Sequence, residues 1–250
     1  TLFGYEVEGV MSYRLALLLG LVVVLIGLIP MYKMRTARLR SGEEEGEFAA
    51  ITELPPTRQR VRRDIWVFAG ATGLLALGIG AVGPFYNVYL NSIGALPSRI
   101  GMIFALAGII AAIAGLLIPA IARRWGELRA FLWIRIAPAP VFLLLLVYPH
   151  LVVAAVAHVM RTATTSMSWT LDSGVMGTIL PPRARASGFS LRSGLWNLGY
   201  AVTSLVAGAV ISAFGYAPTF VAFALFTTAS TLLFVGYFRQ HPVIVETEER

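Results

Sequence analysis

The sequence predicts an all-α membrane protein, a polytopic bundle of transmembrane helices. A helix needs about 20 consecutive apolar residues to cross the hydrocarbon core of a bilayer, and the chain contains seven such stretches. Hydrophobic residues make up 57% and charged residues 13% of the chain, whereas soluble domains carry about 25% charged residues. The stretches also lack the polar stripe that a water-soluble helix shows on every turn. The predicted spans are 13–32, 65–90, 100–122, 130–148, 151–178, 192–213 and 217–238.

Basic side chains fall on every second connection between these spans. Residues 33–64 hold eight of them, and others follow the third and last spans and precede the sixth. The connections in between carry Arg99 alone. Because positive residues stay on the cytoplasmic side, we expect the N-terminus outside and the C-terminus inside. Topology therefore explains the net charge of +7, and no nucleic-acid partner is expected.

The spans and their connections predict five segments. Residues 1–12 form an extracytoplasmic segment, 13–32 a first transmembrane helix, and 33–64 a cytoplasmic linker with an acidic cluster and a Pro-Pro pair. Residues 65–240 form a six-helix unit, and 241–250 a cytoplasmic tail. We expect a multi-pass integral membrane protein of a prokaryotic cytoplasmic (inner) membrane, with membrane lipid as a partner.

Two stretches of the six-helix unit resemble each other. Residues 99–118 and 192–211 share five identities at an offset of 93 residues, among them Arg99 with Arg192 and Gly115 with Gly208. They are the second and fifth of the six spans, which is where an inverted repeat of three helices places its partners. Small residues on these helices, Gly108 and Gly115 in one and Gly199 and Gly208 in the other, are typical of close helix packing in lipid.

Three motifs carry a resemblance to a known family. The stretch LPPRARASGFSLRSGLWNLGYAVTSLVAGAVI, residues 180–211, combines Pro, Arg-Ala and Asn-x-Gly, the last at Asn197 and Gly199. The second motif is PFYNVYL, residues 84–90, and the third is the loop RRWGELR, residues 123–129. Together they resemble the C-terminal half of a major facilitator superfamily transporter, preceded by the last helix of the N-terminal half. In the loop, Arg124 and Gly126 match the family motif, whereas Arg123 stands where the motif has Asp.

The resemblance implies half of a twelve-helix carrier with a cavity between its two halves. The spans 65–90 and 151–178 match the seventh and tenth helices, which line the cavity in this family. It also implies a conformational role for Arg124, Gly126 and Arg129 in the loop, and helix packing at Asn197. The expected partners are a small-molecule substrate and the N-terminal half that is missing from this sequence, so the chain is either a fragment or a half-transporter.

One polar stripe runs along the span 151–178. At 100° per residue, His158, Arg161, Thr165, Ser168 and Asp172 fall on one face, and Arg161 lies about 15 Å deep at 1.5 Å per residue. An arginine near the bilayer centre costs several kcal/mol unless it faces water, a partner or a ligand. We therefore expect either substrate binding or gating at Arg161, or a fixed structural pair.

The other ionisable residues within spans leave alternatives open. Asp172 lies about 16 Å from Arg161 along the helix, so we expect an inner-gate or packing role, with proton carriage as the alternative. His158 could titrate or serve as a hydrogen-bonded packing residue. For Arg135 we expect a side chain that extends to the cytoplasmic surface.

An aromatic segment follows the glycines and Pro84 near the end of the second span. Pro84 should loosen the helix there. Phe85, Tyr86, Asn87 and Tyr89 then form either an outer gate above the substrate or an interfacial aromatic belt.

Other function classes lack their motifs. No nucleotide-cradling loop, metal-ligand cluster or catalytic Ser/His/Asp set is present, so we expect no enzyme activity, no metal and no cofactor. The lone lysine, Lys33, lies in a loop, which argues against a retinal pigment, and receptor motifs are absent.

The predicted function is secondary active transport of a small solute by alternating access. The first expectation is efflux of an organic or amphiphilic compound coupled to a proton gradient, because the cavity-lining spans are apolar and aromatic. Uptake of a small anion through Arg161 is the alternative. A seven-helix receptor or scaffold without transport activity is the second alternative.

Overall fold

The structure is a computed structural model that describes residues 57–241 and, near the N-terminus, residues 11, 14–15, 17–22 and 25–26. The chain divides into two compact units between Glu43 and Glu44, which are described separately. In the first unit, the described residues are helical and their apolar side chains, such as Leu17 and Leu21, are exposed. Most of the predicted segment 1–12, of the linker 33–64 and of the tail lies outside the described residues.

In the second unit, residues 57–241 form helices joined by short connections, with no strand among the described residues. The helices are α1 (Arg58–Val82), α2 (Tyr86–Ser92), α3 (Pro97–Trp125), α4 (Glu127–Ile136), α5 (Pro138–Val147), α6 (Leu151–Ile179), α7 (Pro182–Phe214) and α8 (Ala217–Phe238). Proline occupies the first turn of α3, α5, α7 and α8, where its missing N–H is not needed. Gly126 and Gly215 end α3 and α7 with φ of 80° and 74°, a conformation that favours glycine.

The helix boundaries refine the predicted spans. The span 65–90 is interrupted between Val82 and Tyr86, which confirms the loosening expected at Pro84. The span 130–148 divides at Ala137 into α4 and α5, a break that the hydropathy pattern did not predict. The sixth predicted span begins at Arg192, and the helix that contains it is longer. Helix α7 begins at Pro182, because a proline at the first helical position starts a helix rather than prolonging a loop.

Helices from the two three-helix repeats pack against each other. Helix α1 runs parallel to α7, because Gly73 meets Leu195 and Gly80 meets Tyr200. Helix α3 runs parallel to α6 in the same manner, since the ring of Phe104 contacts that of His158 and Gly115, further along α3, meets Ser166. The first helix of each three-helix repeat thus packs beside the middle helix of the other, as an inverted repeat requires. Helix α8 packs antiparallel to α1 and also contacts α4 and α5.

Two apolar clusters form the core. One lies toward the Asp64 end of the bundle and is centred on Phe131 and Phe234, whose rings stack at 4.1 Å. The other surrounds Tyr86, Phe142 and Phe223 toward the opposite end. The polar residues of α6 lie between and beside these clusters, so the apolar packing on either side fixes their positions.

Five helical stretches of the described residues are long and apolar enough to cross a membrane: Arg58–Ser92, Pro97–Trp125, Glu127–Val147, Pro182–Phe214 and Ala217–Phe238. Helix α6 is not among them, although it has 29 residues. Its polar side chains lower its hydropathy, and such residues in a membrane helix mark function. The protein is therefore a polytopic helical membrane protein, whereas the count of seven spans and their orientation stay predictions.

Candidate functional site

The polar stripe predicted on α6 lies on one helix and divides into three levels. His158, Ser168 and Asp172 are buried, whereas Arg161 and Thr165 are half-buried. The first level holds His158 and Arg161, the second holds Thr165 and Ser168, and the third holds Asp172, nearest the Asp64 end of the bundle. Each level contacts a different set of neighbouring helices, so the stripe is not one continuous site. The substrate and gating roles of these residues stay predictions.

Asp172 joins three helices through one oxygen atom. Its Oδ2 accepts hydrogen bonds from Nη2 of Arg135 on α4 at 3.2 Å and from Nη2 of Arg192 on α7 at 3.1 Å. The three side chains are 2–4% exposed. A buried ion pair gives little net stability, but removing one partner leaves an uncompensated buried charge and costs about 3–5 kcal/mol. The triad therefore holds α4, α6 and α7 in one arrangement.

Aromatic rings complete the surroundings of the two arginines. The guanidinium carbon of Arg135 lies 4.2 Å from the centroid of Phe131, and that of Arg192 lies 3.9 Å from Trp169. Such cation–π contacts contribute about 2 kcal/mol when desolvated. They offset part of the cost of burying more positive than negative charge.

The expectation that the side chain of Arg135 extends to the cytoplasmic surface was wrong. Arg135 is 2% exposed, because Asp172 offers a buried carboxylate at the same depth. The sequence did contain a signal for this pair. Arg135 lies close to the start of the predicted span 130–148 and Asp172 close to the end of the predicted span 151–178, so the two opposite charges reach similar depths. Arg192 was noted only as part of the repeat.

Arg161 and His158 form the level nearest the start of α6. Nη2 of Arg161 lies 3.2 Å from Nδ1 of His158. The imidazole lies between the rings of Tyr86, at 5.1 Å, and Phe104, at 4.0 Å, so it is packed on both faces. Nε of Arg161 is buried and has no hydrogen-bond partner within the described part of the chain. His158 thus orients the guanidinium of Arg161 but occupies only part of its donor fork.

A small, partly open space lies between the Arg161 level and the Asp172 triad. It admits about one water-sized particle. Its polar walls are Arg135, Arg161, Thr164, Thr165, Ser168 and Thr227. An organic substrate does not fit here, so a substrate would have to contact the half-buried, outward side of Arg161.

The aromatic segment predicted as an outer gate divides in two. Tyr86 and Tyr89 are buried, and Tyr86 donates its hydroxyl hydrogen bond to the carbonyl of Ala154 at 2.7 Å. Phe85 is half-buried with its ring against Gly208, and Asn87 is exposed. The two tyrosines pack in the core of this structure, and the gating role of all four residues stays a prediction.

The loop after α3 turns at Gly126. Arg124 and Arg129, on either side of it, are exposed and line an open groove together with Trp125 and Trp133. Exposed arginines beside tryptophans are typical of a membrane–water interface. The conformational role that the resemblance implies for this loop stays a prediction.

The small residues predicted to pack helices differ in their surroundings. A Cβ on Gly199 would lie 3.0 Å from the carbonyl oxygen of Gly73, and one on Gly208 would lie 3.2 Å from Phe85. Gly115 has Ser166 at an ordinary 3.5 Å, and Gly108 has open space. Asn197 is exposed and donates to the carbonyl of Ser193 on its own helix. The closest approach to the backbone of another helix was not predicted: a Cβ on Gly80 would lie 2.7 Å from the carbonyl oxygen of Tyr200.

A second polar cluster ties α1 to α8 at the Asp64 end. The hydroxyl of Tyr237 donates to Oδ1 of Asp64 at 2.6 Å and accepts from Nε of Arg63 at 2.7 Å. His241 lies 3.5 Å from Oδ2 of the same carboxylate. Asp64 was assigned to the linker by its charge, but α1 already begins at Arg58. Across residues 57–241, no three His, Cys, Asp or Glu side chains come together as a metal site would need.

Comparison with protein families gives one match. The model of the Major Facilitator Superfamily matches residues 69–249, which is more than half of the chain and includes every residue of the polar stripe. Neither the curated proteins nor the solved structures provide a match. The family match agrees with the helical bundle and its inverted repeat. The chain belongs to the Major Facilitator Superfamily.

Proposed function

We propose that the protein moves a small organic anion across the membrane by alternating access, and that Arg161 binds the negative charge of the solute. Family membership establishes the coarser part: a multi-pass membrane protein that transports a small solute and is not an enzyme. The charge of the solute, the direction of movement and the coupling ion are the parts proposed here. The cytoplasmic (inner) membrane is the location that this proposal assumes.

The incomplete pairing of Arg161 carries the proposal. Between residues 57 and 241 the acids are Asp64, Glu127 and Asp172. Asp172 is bound to two other arginines, Asp64 lies in the Tyr237 cluster, and Glu127 begins α4. Within the described residues, Arg161 therefore contacts the imidazole of His158 and the ring of Tyr86 but no carboxylate.

The chemistry of guanidinium favours an anion with two oxygens. An arginine presents a planar donor fork that matches a carboxylate or phosphate in two parallel hydrogen bonds. His158 holds the fork in place, which reduces the side-chain entropy that binding would cost. Because Arg161 is half-buried, part of it stays open to a solute. A carboxylate from the other half of a carrier is the competing partner, and the experiment below separates the two.

A second candidate is proton-coupled efflux of an amphiphilic compound. The observation that favours it is a half-buried aromatic pair, Trp169 and Trp196, whose rings meet edge to face at 5.0 Å between α6 and α7. Aromatic surfaces suit flat apolar solutes. Against a proton carrier in this half, Asp172 is held by two arginines. Flux of an uncharged amphiphile that follows an imposed proton gradient would favour this second candidate.

The test of the first candidate is flux of matched solutes into proteoliposomes. Each pair consists of an organic acid and its neutral amide, which differ in charge but little in shape. We expect wild-type protein to move the acid, Arg161→Gln to lose its preference for the acid, and Arg161→Lys to retain part of it, because lysine keeps the charge without the fork. Arg99→Gln, at an exposed position, is the matched control.

Two results would count against the proposal. If Arg161→Gln lowers the flux of acid and amide by the same factor, Arg161 serves as a structural partner of another helix. If wild-type protein carries the amide as fast as the acid, the solute is not selected by charge. Thermal unfolding of each variant, measured in the same preparation, reveals whether a loss of flux reflects a loss of folded protein.

A further inference from the structure

An open groove lies beside the turn that joins α3 to α4. Its volume is about 630 Å³, which is within the range of sites that hold a small organic molecule. Helix α3 ends at Trp125 and α4 begins at Glu127, so Gly126 alone separates the two helices. Arg124 and Trp125 line the groove from α3, and Arg129 and Trp133 line it from α4. The turn thus gives two basic and two aromatic side chains to one groove.

The guanidinium groups of Arg124 and Arg129 have no partner in the part of the chain that the structure describes. Both side chains are exposed, and neither takes part in an ion pair or a side-chain hydrogen bond with residues 57–241. An arginine binds a phosphate group through two parallel hydrogen bonds. Two unpaired guanidinium groups on one groove therefore suit a ligand that carries a phosphate.

The remainder of the groove is mostly apolar. It follows α4 from Arg129 to Ala137, a length of about 12 Å at 1.5 Å per residue. Ile134 and Ala137 line this part from one side and Thr164 of α6 from the other. The hydroxyl of Thr164 already donates to the carbonyl of Met160, so it offers no free donor. A hydrocarbon chain fills such a surface, whereas a small inorganic anion leaves it uncovered.

The two tryptophans indicate that the groove lies at the boundary between hydrocarbon and water. Trp125 is 51% and Trp133 is 64% exposed, and amphipathic rings of this kind are enriched at the level of the lipid headgroups. The arginines of the same loop predict the cytoplasmic side. Basic pockets between membrane helices on that side bind anionic headgroups. Position, charge and apolar lining thus all favour a lipid.

We propose that this groove binds one anionic phospholipid, with its phosphate on Arg124 and Arg129 and an acyl chain along α4 as far as Ala137. The lipid links α3 to α4 at their shared turn. The proposal does not rest on the transported solute, because Arg161 does not line the groove. An acidic segment from the other half of a carrier is the competing occupant, and the experiment below separates the two.

The experiment measures quenching of tryptophan fluorescence by lipids with brominated acyl chains. The protein is reconstituted in phosphatidylcholine vesicles with increasing fractions of brominated phosphatidylglycerol, which is anionic, or of brominated phosphatidylcholine, which has no net charge. Trp66, exposed on α1, reports general contact with lipid, so both lipids should quench it alike. We expect an additional, saturable quenching by phosphatidylglycerol alone, and its loss in the double variant Trp125→Phe/Trp133→Phe.

Three arginines of the loop provide matched variants. Arg124→Gln and Arg129→Gln each remove hydrogen bonds to a charged group, so we expect each to raise the half-saturating fraction of phosphatidylglycerol about tenfold. Arg123→Gln is the control, because Arg123 is exposed in the same loop but does not line the groove. The titrations are made at high salt, which screens the general charge of the surface. Under these conditions we expect Arg123→Gln to match wild type.

Equal quenching by the two lipids would overturn the proposal and indicate that protein or lipid of any charge covers the groove. A loss of affinity in Arg123→Gln as large as in Arg124→Gln would show that the charge of the whole loop attracts the lipid. Saturable quenching that survives in the tryptophan double variant would place the lipid elsewhere. If glycerophosphoglycerol, the headgroup without its chains, competes as well as the intact lipid, the groove binds a soluble anion, and the proposal fails. Because no transported solute is present, these results are independent of the flux experiments.

Discussion

Asp172 and Arg192, on consecutive helices, meet through a 3.1 Å contact between Oδ2 and Nη2 that is almost fully buried. The same oxygen accepts from Arg135 on a third helix at 3.2 Å. The connection between α6 and α7 is short, so the contact also determines the angle at which α7 leaves α6. Three helices of the bundle are therefore fixed to each other by the charge on one carboxylate.

Asp172→Asn should destabilise the protein strongly. The substitution keeps the shape of the side chain but removes the charge that compensates two buried arginines, so we expect a loss of about 3–5 kcal/mol. Chemical or thermal unfolding in detergent measures this loss. Ser173→Ala is the control, because Ser173 is exposed and donates only to the carbonyl of Trp169 on its own helix. Equal stability of the two variants would show that the triad does not hold the helices.

Gly80→Ala should separate α1 from α7. The added Cβ would lie 2.7 Å from the carbonyl oxygen of Tyr200 and 3.1 Å from its Cα, and backbone atoms cannot rotate away. Overpacking of this kind costs about 1–3 kcal/mol, and transport should fall with the amount of folded protein. Gly108→Ala, where a Cβ meets nothing within 4 Å, should change neither stability nor flux. Stability of Gly80→Ala equal to that of wild type would show that α1 and α7 do not approach each other this closely.

Tyr237→Phe should loosen the Asp64 end of the bundle. The variant loses a donor to Asp64 at 2.6 Å and an acceptor for Arg63 at 2.7 Å, while the ring keeps its edge contact with Phe238. We expect a loss of about 1–3 kcal/mol, seen as a lower unfolding temperature and faster amide exchange at the start of α1. Tyr148→Phe, at an exposed ring, should leave both measurements unchanged. A comparable shift in that control would show that tyrosine hydroxyls in general, rather than this cluster, set the stability.

Local patterns in the sequence predicted the helices and the polar stripe, because both depend on residues close together in the chain. Helix α8 has the bounds that its hydropathy predicts, and the interruption near Pro84 follows from the missing N–H of proline. Helix α7 begins at Pro182, before the predicted span 192–213, because the arginines near its first turn end the apolar stretch but not the helix. Charged residues occur both in loops and in the first turn of a helix, so their presence alone does not locate the start of the helix.

The partners of the stripe could not be predicted in the same way. Whether Arg135 extends to the surface or meets Asp172 depends on which side of α4 faces α6, which is set by packing across the whole bundle. The inward positions of Tyr86 and Tyr89 have the same origin, since the turn at Pro84 decides which rings enter the core. Thr227 carried no signal in the sequence, because threonines in an apolar helix usually bond to their own backbone.

The central claim, that Arg161 binds a solute that is exposed to each side of the membrane in turn, has one direct measurement. The 250 residues contain no cysteine, so Thr165→Cys introduces a single thiol one turn from Arg161, whose modification can be followed from either side of sealed vesicles. We predict modification by reagents added on either side and protection by the anionic solute, with protection lost when Arg161→Gln is added. Modification from one side alone, or equal protection with and without Arg161, would contradict the claim.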